Sequence, residues 1–286
     1  MNWILLSLLC AFSLASADAF TKWRLSAYPA EFMLLVRFSI PGILLSPVLY
    51  FHPLPPVPPA FWGWAISAVP VEILAMVLYM RAITRSPLYL TLPYLAFTPV
   101  FSAMLAYFML GERISSWGLS GILLITAGAF LLNIRHLGKD IFEPFRAILK
   151  EKGSRLMLFV AALYGITSVL GKGALQYCPP LTFGAFYFSL LGLVSICFII
   201  MRRPSLKFPG RPLSALIVGA MVSVMAATHF LALQGVNVAY MIAVKRTSLL
   251  FGIAYGALLF KEKEFGLHFL AGLFMVIGVA LISVMV

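Results

Sequence analysis

Acidic residues are scarce in this chain: nine Asp and Glu stand against 21 Lys and Arg in 286 residues, and charges of either sign make up only 10% of it. So few charges exclude an ordinary water-facing surface, about a quarter to a third of which is charged. Cysteine is also rare. Cys10, Cys178 and Cys197 fall in or beside apolar stretches without paired spacing, which excludes a disulfide framework and a metal-ligand set. Long polar connections are missing as well, the longest running only from Arg135 to Arg155. No Walker sequence, Gly-rich phosphate loop, zinc-ligand spacing or Ser-His-Asp set is present, so direct ATP use, hydrolytic catalysis, a metal and a cofactor all lack support.

What fills the chain is apolar. Hydrophobic residues make up 62% of it, with a mean hydropathy of +1.02, a composition that belongs in a bilayer. A spanning helix needs about 20 mainly apolar residues. Ten such stretches fit between turn signals and charges: Ile4–Phe20, Ala30–Phe51, Phe61–Met80, Leu88–Leu110, Trp117–Ile134, Leu156–Leu175, Leu181–Met201, Leu213–Leu233, Val238–Phe260 and Leu267–Val286. The first span is read as a helix and not as a cleaved leader, because Met1-Asn2 carries no basic residue and Ser16-Ala17-Asp18 is a poor cleavage site.

The net charge of +12 does not mark a nucleic-acid binder, since the bases are scattered over short loops and form no single face. Sixteen of them sit in or at the edges of the first, third, fifth, seventh and ninth connections. Basic short loops stay cytoplasmic, so both termini are expected outside. Sliding the chain by 150 positions superposes Lys22 on Lys172, Pro29 on Pro179, Phe38-Ser39 on Phe188-Ser189, Gly42 on Gly192, Glu112 on Glu262 and Gly128 on Gly278 without a gap. Each copy holds five spans, an odd number, so the second copy enters the membrane inverted. The expected organisation is a five-helix repeat over 1–135, an amphipathic cytoplasmic linker over 136–155 and a second five-helix repeat over 156–286. Inverted repeats of this kind build secondary transporters with a midplane site and alternating access.

The Val36-Arg37-Phe38 segment, the Leu95-Ala96-Phe97-Thr98-Pro99-Val100-Phe101 run and the Gly111-Glu112 pair closing the fourth span carry a resemblance. Over essentially the whole chain they resemble the ten-helix EamA-like branch of the drug/metabolite transporter superfamily. That resemblance implies a central cavity lined mostly by the first, third, fourth, sixth, eighth and ninth helices. It also often goes with cytoplasmic termini, against the charge count of this chain. The second half departs from the family pattern: Ala243-Val244-Lys245-Arg246-Thr247-Ser248-Leu249 stands where a proline is usual, and Lys261 replaces the glycine before Glu262.

Charges inside the spans carry the chemical signal, because an ionisable group at a helix centre costs about 2.5–3.5 kcal/mol on insertion scales and persists when paired or solvated in a cavity. Glu72 lies mid-span and shares a helical face with Ala75, Met76 and Tyr79. It is expected either to exchange a proton for a substrate cation in an antiport cycle or to sit in a static ion pair. Lys245 shares a face with Met241, Ser248 and Gly252; it can hold a substrate carboxylate or phosphate, pair with Glu72, or snorkel to the interface. Arg246, about 100° away around the helix, is expected to reach the headgroups. Asp18 and Arg37 are expected to form a structural pair. His229, which the 150-residue shift superposes on Tyr79, is either a packing residue or part of a proton path. Pro93 and Pro99 should kink or unwind the fourth helix, Lys22 and Lys172 should anchor helix ends, and Glu112 and Glu262 should share a turn geometry.

The resulting expectation is an all-helical, ten-span secondary transporter of the cell membrane for a small metabolite, amino-acid-like or another polar solute, exported by proton coupling or exchange. Glu72, Tyr79, Lys245 and Ser248 are the candidate binding residues. Small solute, protons and membrane lipids are the expected partners, without nucleic acid, and the bundle is expected to be a monomer or homodimer. A flippase for a lipid-linked head group is the alternative within transport. A membrane enzyme or non-transporting receptor is the alternative outside it.

Overall fold

The computed structural model describes residues 2–26, 28–85, 92–131, 152–202, 211–260 and 266–284, so positions 136–151 of the linker expected over 136–155 and Glu262 lie outside the described residues, while 152–155 open a helix. Every regular element among the described residues is helical. In chain order these are α1 (Trp3–Arg24) and α2 (Ala30–Leu34 and Ile40–Phe51, joined by a π-helical turn at Leu35–Ser39), then α3 (Pro59–Arg85). Next come α4 (a 3₁₀ turn at Leu92–Phe97 continued by Thr98–Leu110) and α5 (Ser116–Leu131). The second half holds α6 (Lys152–Ala174), α7 (Pro180–Arg202), α8 (Pro212–Gln234), α9 (Val238–Lys245 and Ser248–Phe260) and α10 (Gly266–Val284). All ten expected spans are present. Six described segments are long and apolar enough to cross a bilayer alone, namely Trp3–Arg24, Phe32–Phe51, Pro59–Tyr79, Lys152–Ala174, Pro180–Met201 and Pro212–Gln234.

Local chemistry sets the ends. Pro59, Pro180 and Pro212 open their helices, where the missing N–H has no carbonyl to satisfy. Gly111 closes α4 in the left-handed region at φ 69°, and the Glu112 N–H bonds back to the Ala106 carbonyl at 3.2 Å. That is a left-handed helix stop, a conformation glycine adopts without a Cβ penalty, which explains the glycine of the Gly-Glu pair. The glutamate does something else: its Oε2 accepts the Val238 N–H at 2.8 Å, capping the start of α9 in the other repeat. Burial pushes the Glu112 carboxyl up from its usual value, while the bond from Val238 pulls it back down. Lys172, at the end of α6, donates from Nζ to the carbonyls of Leu233, Gln234 and Val236 at 2.5, 3.1 and 2.9 Å, satisfying the orphan end of α8.

Packing runs chiefly between the halves, in symmetric pairs. The fifth helices, α5 and α10, pack on each other, and so do the second helices, α2 and α7. The contact of α3 with α6 is matched by that of α8 with α1, and the contact of α4 with α6 by that of α9 with α1. At the α2–α7 crossing the symmetry reaches single atoms. Ser39 Oγ donates to the Gly192 carbonyl and Ser189 Oγ to the Gly42 carbonyl, both at 3.2 Å. A Cβ on Gly42 would lie 2.6 Å from the Phe188 carbonyl oxygen, and one on Gly192 would lie 3.0 Å from Ser39 Cα. Small residues let the two backbones approach, as is usual between helices in lipid. The chain is therefore an all-helical membrane protein of two inverted five-helix repeats, with its interior between the repeats.

Candidate functional site

A cavity of about 150 Å³ lies in that interior, walled by α1 to α4 and α6 to α9. Eight pairs of its lining residues are separated by 150 positions: Leu14 and Tyr164, Asp18 and Ser168, Arg37 and Tyr187, Phe38 and Phe188, Glu72 and Val222, Met76 and Ala226, Tyr79 and His229, Leu95 and Lys245. The cavity therefore straddles the pseudo-two-fold relation between the repeats. The family resemblance implied six helices around it; α2 and α7 join them, because they cross at the axis. Its volume suits a solute of about benzene size.

The backbone is irregular where it meets the cavity. The longer segments of α4 and α9 begin at Thr98 and Ser248, again 150 positions apart, each after an interruption. In α4 the 3₁₀ turn Leu92–Phe97 contains Pro93 and precedes Pro99 in the first helical turn, the local unwinding expected of these prolines. No proline breaks α9. There the Arg246 and Thr247 N–H groups turn to carbonyls three residues back, on Ala243 and Val244 at 3.0 Å each, and Thr247 Oγ1 also donates to Val244 at 2.7 Å. In α2 the π turn presents Arg37. Discontinuous helices of this kind line substrate and ion sites in inverted-repeat carriers.

The charges divide unevenly between the halves. Asp18, Arg37 and Glu72 come from the first, Lys245 and Arg246 from the second. Arg37 is buried and pairs with Asp18, whose side chain is 43% exposed, and its Nη2 also lies 3.5 Å from Thr21 Oγ1. Glu72 faces the cavity with Met76 and Tyr79, while Ala75 is fully packed away. The Thr167 hydroxyl lies beside the Glu72 carboxyl. Lys245 is near enough for its charge to act on Glu72, but the two form no direct ion pair. Its Nζ stands 3.4 Å from His229 Nδ1, an arrangement in which the ammonium donates to an imidazole protonated on Nε2.

Two expectations are corrected. Arg246 does not reach the headgroups: it is only 8% exposed, lines the cavity and donates from Nη2 to Thr98 Oγ1 at 2.9 Å. Ser248 is not among the lining residues, and at Gly252, on the same face, a Cβ would meet nothing. Ser248 and Gly252 come after the break at Arg246-Thr247 and leave the phase of Lys245, whereas Arg246 keeps a helical N–H bond to the Ile242 carbonyl and is held inward by Thr98. Sequence reading also missed Tyr164, Thr167, Ser168 and Tyr187 as lining residues. Their signal was the repeat itself, since three of them stand 150 positions after Leu14, Asp18 and Arg37 and Thr167 is next to one of those three.

Ten helices in two inverted copies, packed around a charged inter-repeat cavity, define a polytopic membrane carrier. The chain belongs to the EamA-like transporter family, whose profile matches residues 1–134 and 152–284, and it is thus a membrane transporter of the drug/metabolite type. No curated protein matches it. Among solved structures 29 chains match. One of them, titled only "Crystal structure of protein", shares 15% identity over 99% of this chain and 98% of its own, with a TM-score of 0.79, and so shows the same fold.

Proposed function

We propose that the chain is a secondary transporter of the cell membrane that exports a small polar organic solute, amino-acid-like in its charges, by alternating access coupled to protons or to exchange. The observation that carries this is an intramembrane carboxylate, Glu72, lining with Lys245 and Arg246 one cavity shared by both repeats. The Asp18–Arg37 pair is internally neutral, so Glu72 and the two cations are what a solute meets. An amino group against Glu72 and a carboxylate against the cations satisfy both sides. Glu72 is the coupling residue: it releases its proton when the solute's cationic group arrives and takes one up when that group leaves. Tyr79 and His229, related by the repeat, flank this exchange. The bodies that move are the groups packed across the repeats, α3 and α4 with α6 against α8 and α9 with α1, while the repeats 1–135 and 156–286 are joined through 136–155. The basic loops face the cytoplasm and both termini face outward.

Proteoliposomes loaded with a mixture of the standard amino acids test the reading. Under pH gradients of either sign, mass spectrometry of the retained contents should show one or more amino acids lost from wild-type vesicles in a gradient-dependent way. The Glu72→Gln protein, inserted at the same level, should lose gradient dependence. Retained pH-driven flux in Glu72→Gln removes Glu72 from coupling.

A further inference from the structure

The geometry assigns Arg246, oriented by Thr98, as the anchor for an oxyanion, a carboxylate or phosphate group, on the solute that enters the cavity. The assignment rests on the transport reading only for the statement that this solute is carried; the site itself stands on the local structure.

A buried guanidinium costs several kcal/mol unless its charge and its donors are met. Arg246 is buried, yet among the described residues no carboxylate lies within ion-pair distance of it: Asp18 is committed to Arg37, and Glu72 makes no direct ion pair. One of its five donors is used on Thr98, and its Nε has no hydrogen-bond partner. The Thr98 hydroxyl sends its own proton to the Leu95 carbonyl at 2.7 Å, so its oxygen is left as an acceptor for the guanidinium. That bond fixes the plane of the fork from one side. A guanidinium on the cavity wall with donors still unmet suits a planar oxyanion, which such a fork takes through parallel bonds. A second orphan lies in the same cavity: the Tyr187 hydroxyl, buried on α7, has no partner either and is suited to another polar atom of the same solute. Lys245 differs, because its ammonium already meets His229. It adds positive charge near the site without an unmet fixed donor.

The test uses the full chain in nanodiscs of neutral lipid, with melting temperature followed against increasing inorganic phosphate, lactate, glycine or tetramethylammonium chloride, compared with sodium chloride. Phosphate or a carboxylate probe should stabilise the wild type, and which of them does so identifies the oxyanion. Arg246→Gln should weaken that probe about tenfold or more, the size of one charge-assisted pair. Arg246→Lys keeps the charge but lacks Nε and should recover only part of the affinity. Thr98→Val should weaken binding a few-fold without lowering the melting temperature of the unliganded protein by a comparable amount. If Arg246→Gln does not fold, Arg246→Lys and Thr98→Val decide alone. Stabilisation by tetramethylammonium only, by no probe, or equally in wild type and Arg246 variants overturns the assignment. The Glu72 gradient experiment is read separately, so either claim can fail without the other.

Discussion

Asp18 and Arg37 show how differently two partners of one ion pair can be placed, since the arginine is buried in the bundle while the carboxylate is nearly half exposed to the cavity. Removing the acid leaves an uncompensated buried cation; removing both removes the problem as well as the pair. We therefore expect Asp18→Asn to lower stability by about 1–2 kcal/mol, discounted from a fully buried pair for the exposure of Asp18. Adding Arg37→Gln should cost less than the sum of the single changes, which a double-mutant cycle on melting or denaturant midpoints will measure. Strictly additive losses would show that the two side chains act independently. At this scale the sequence was legible where a charge had to be inside a span, as for Glu72 and Lys245. It was not legible for Arg246. Its place about 100° around the helix from Lys245 pointed to the headgroups, while the acceptor that holds it inward, Thr98 on α4, belongs to the other repeat and depends on tertiary structure.

At the scale of elements, the α2–α7 crossing is the most restrictive contact, and it was visible in the sequence as the repeated Phe-Ser and Gly positions. Gly42→Ala puts a methyl 2.6 Å from a backbone carbonyl, which cannot swing aside as a side chain can. The expected loss is about 1–3 kcal/mol, measured by thermal unfolding in detergent or nanodiscs. Gly63→Ala is the control: it lies exposed inside α3 with nothing within 4 Å of the new Cβ, and should leave stability unchanged or raise it by up to about 1 kcal/mol. Equal effects would contradict the close approach of α2 and α7. Helix positions could be read from apolar runs because the bilayer demands them. The interruption in α9 could not, because no proline stands at its break; in α2, Pro41 follows the π turn as Pro99 follows the 3₁₀ turn of α4. In α4 the prolines announced the irregularity. Glu112 and Lys172 were legible as helix-end residues, but their partners, the start of α9 in the other repeat for Glu112 and the end of α8 in the same repeat for Lys172, depend on tertiary structure.

For the whole molecule, inversion explains why sixteen of the cavity's lining residues come in repeat-related pairs while their charges do not. Duplication fixed the positions, and divergence placed the carboxylates on the first copy and the free cations on the second. The loop charges make a separate claim about the membrane: a membrane-impermeant reagent or protease applied to intact cells should reach the C-terminus, and protection of it until the cells are opened would reverse the orientation.

The central claim, transport of a small solute through the Glu72 cavity, is tested most directly by comparing metabolite profiles inside and outside cells producing the wild-type chain or Glu72→Gln at matched membrane levels. The account predicts at least one small polar metabolite shifted outward by wild type and not by the variant. No difference in any soluble metabolite would contradict it and would favour a lipid-linked substrate.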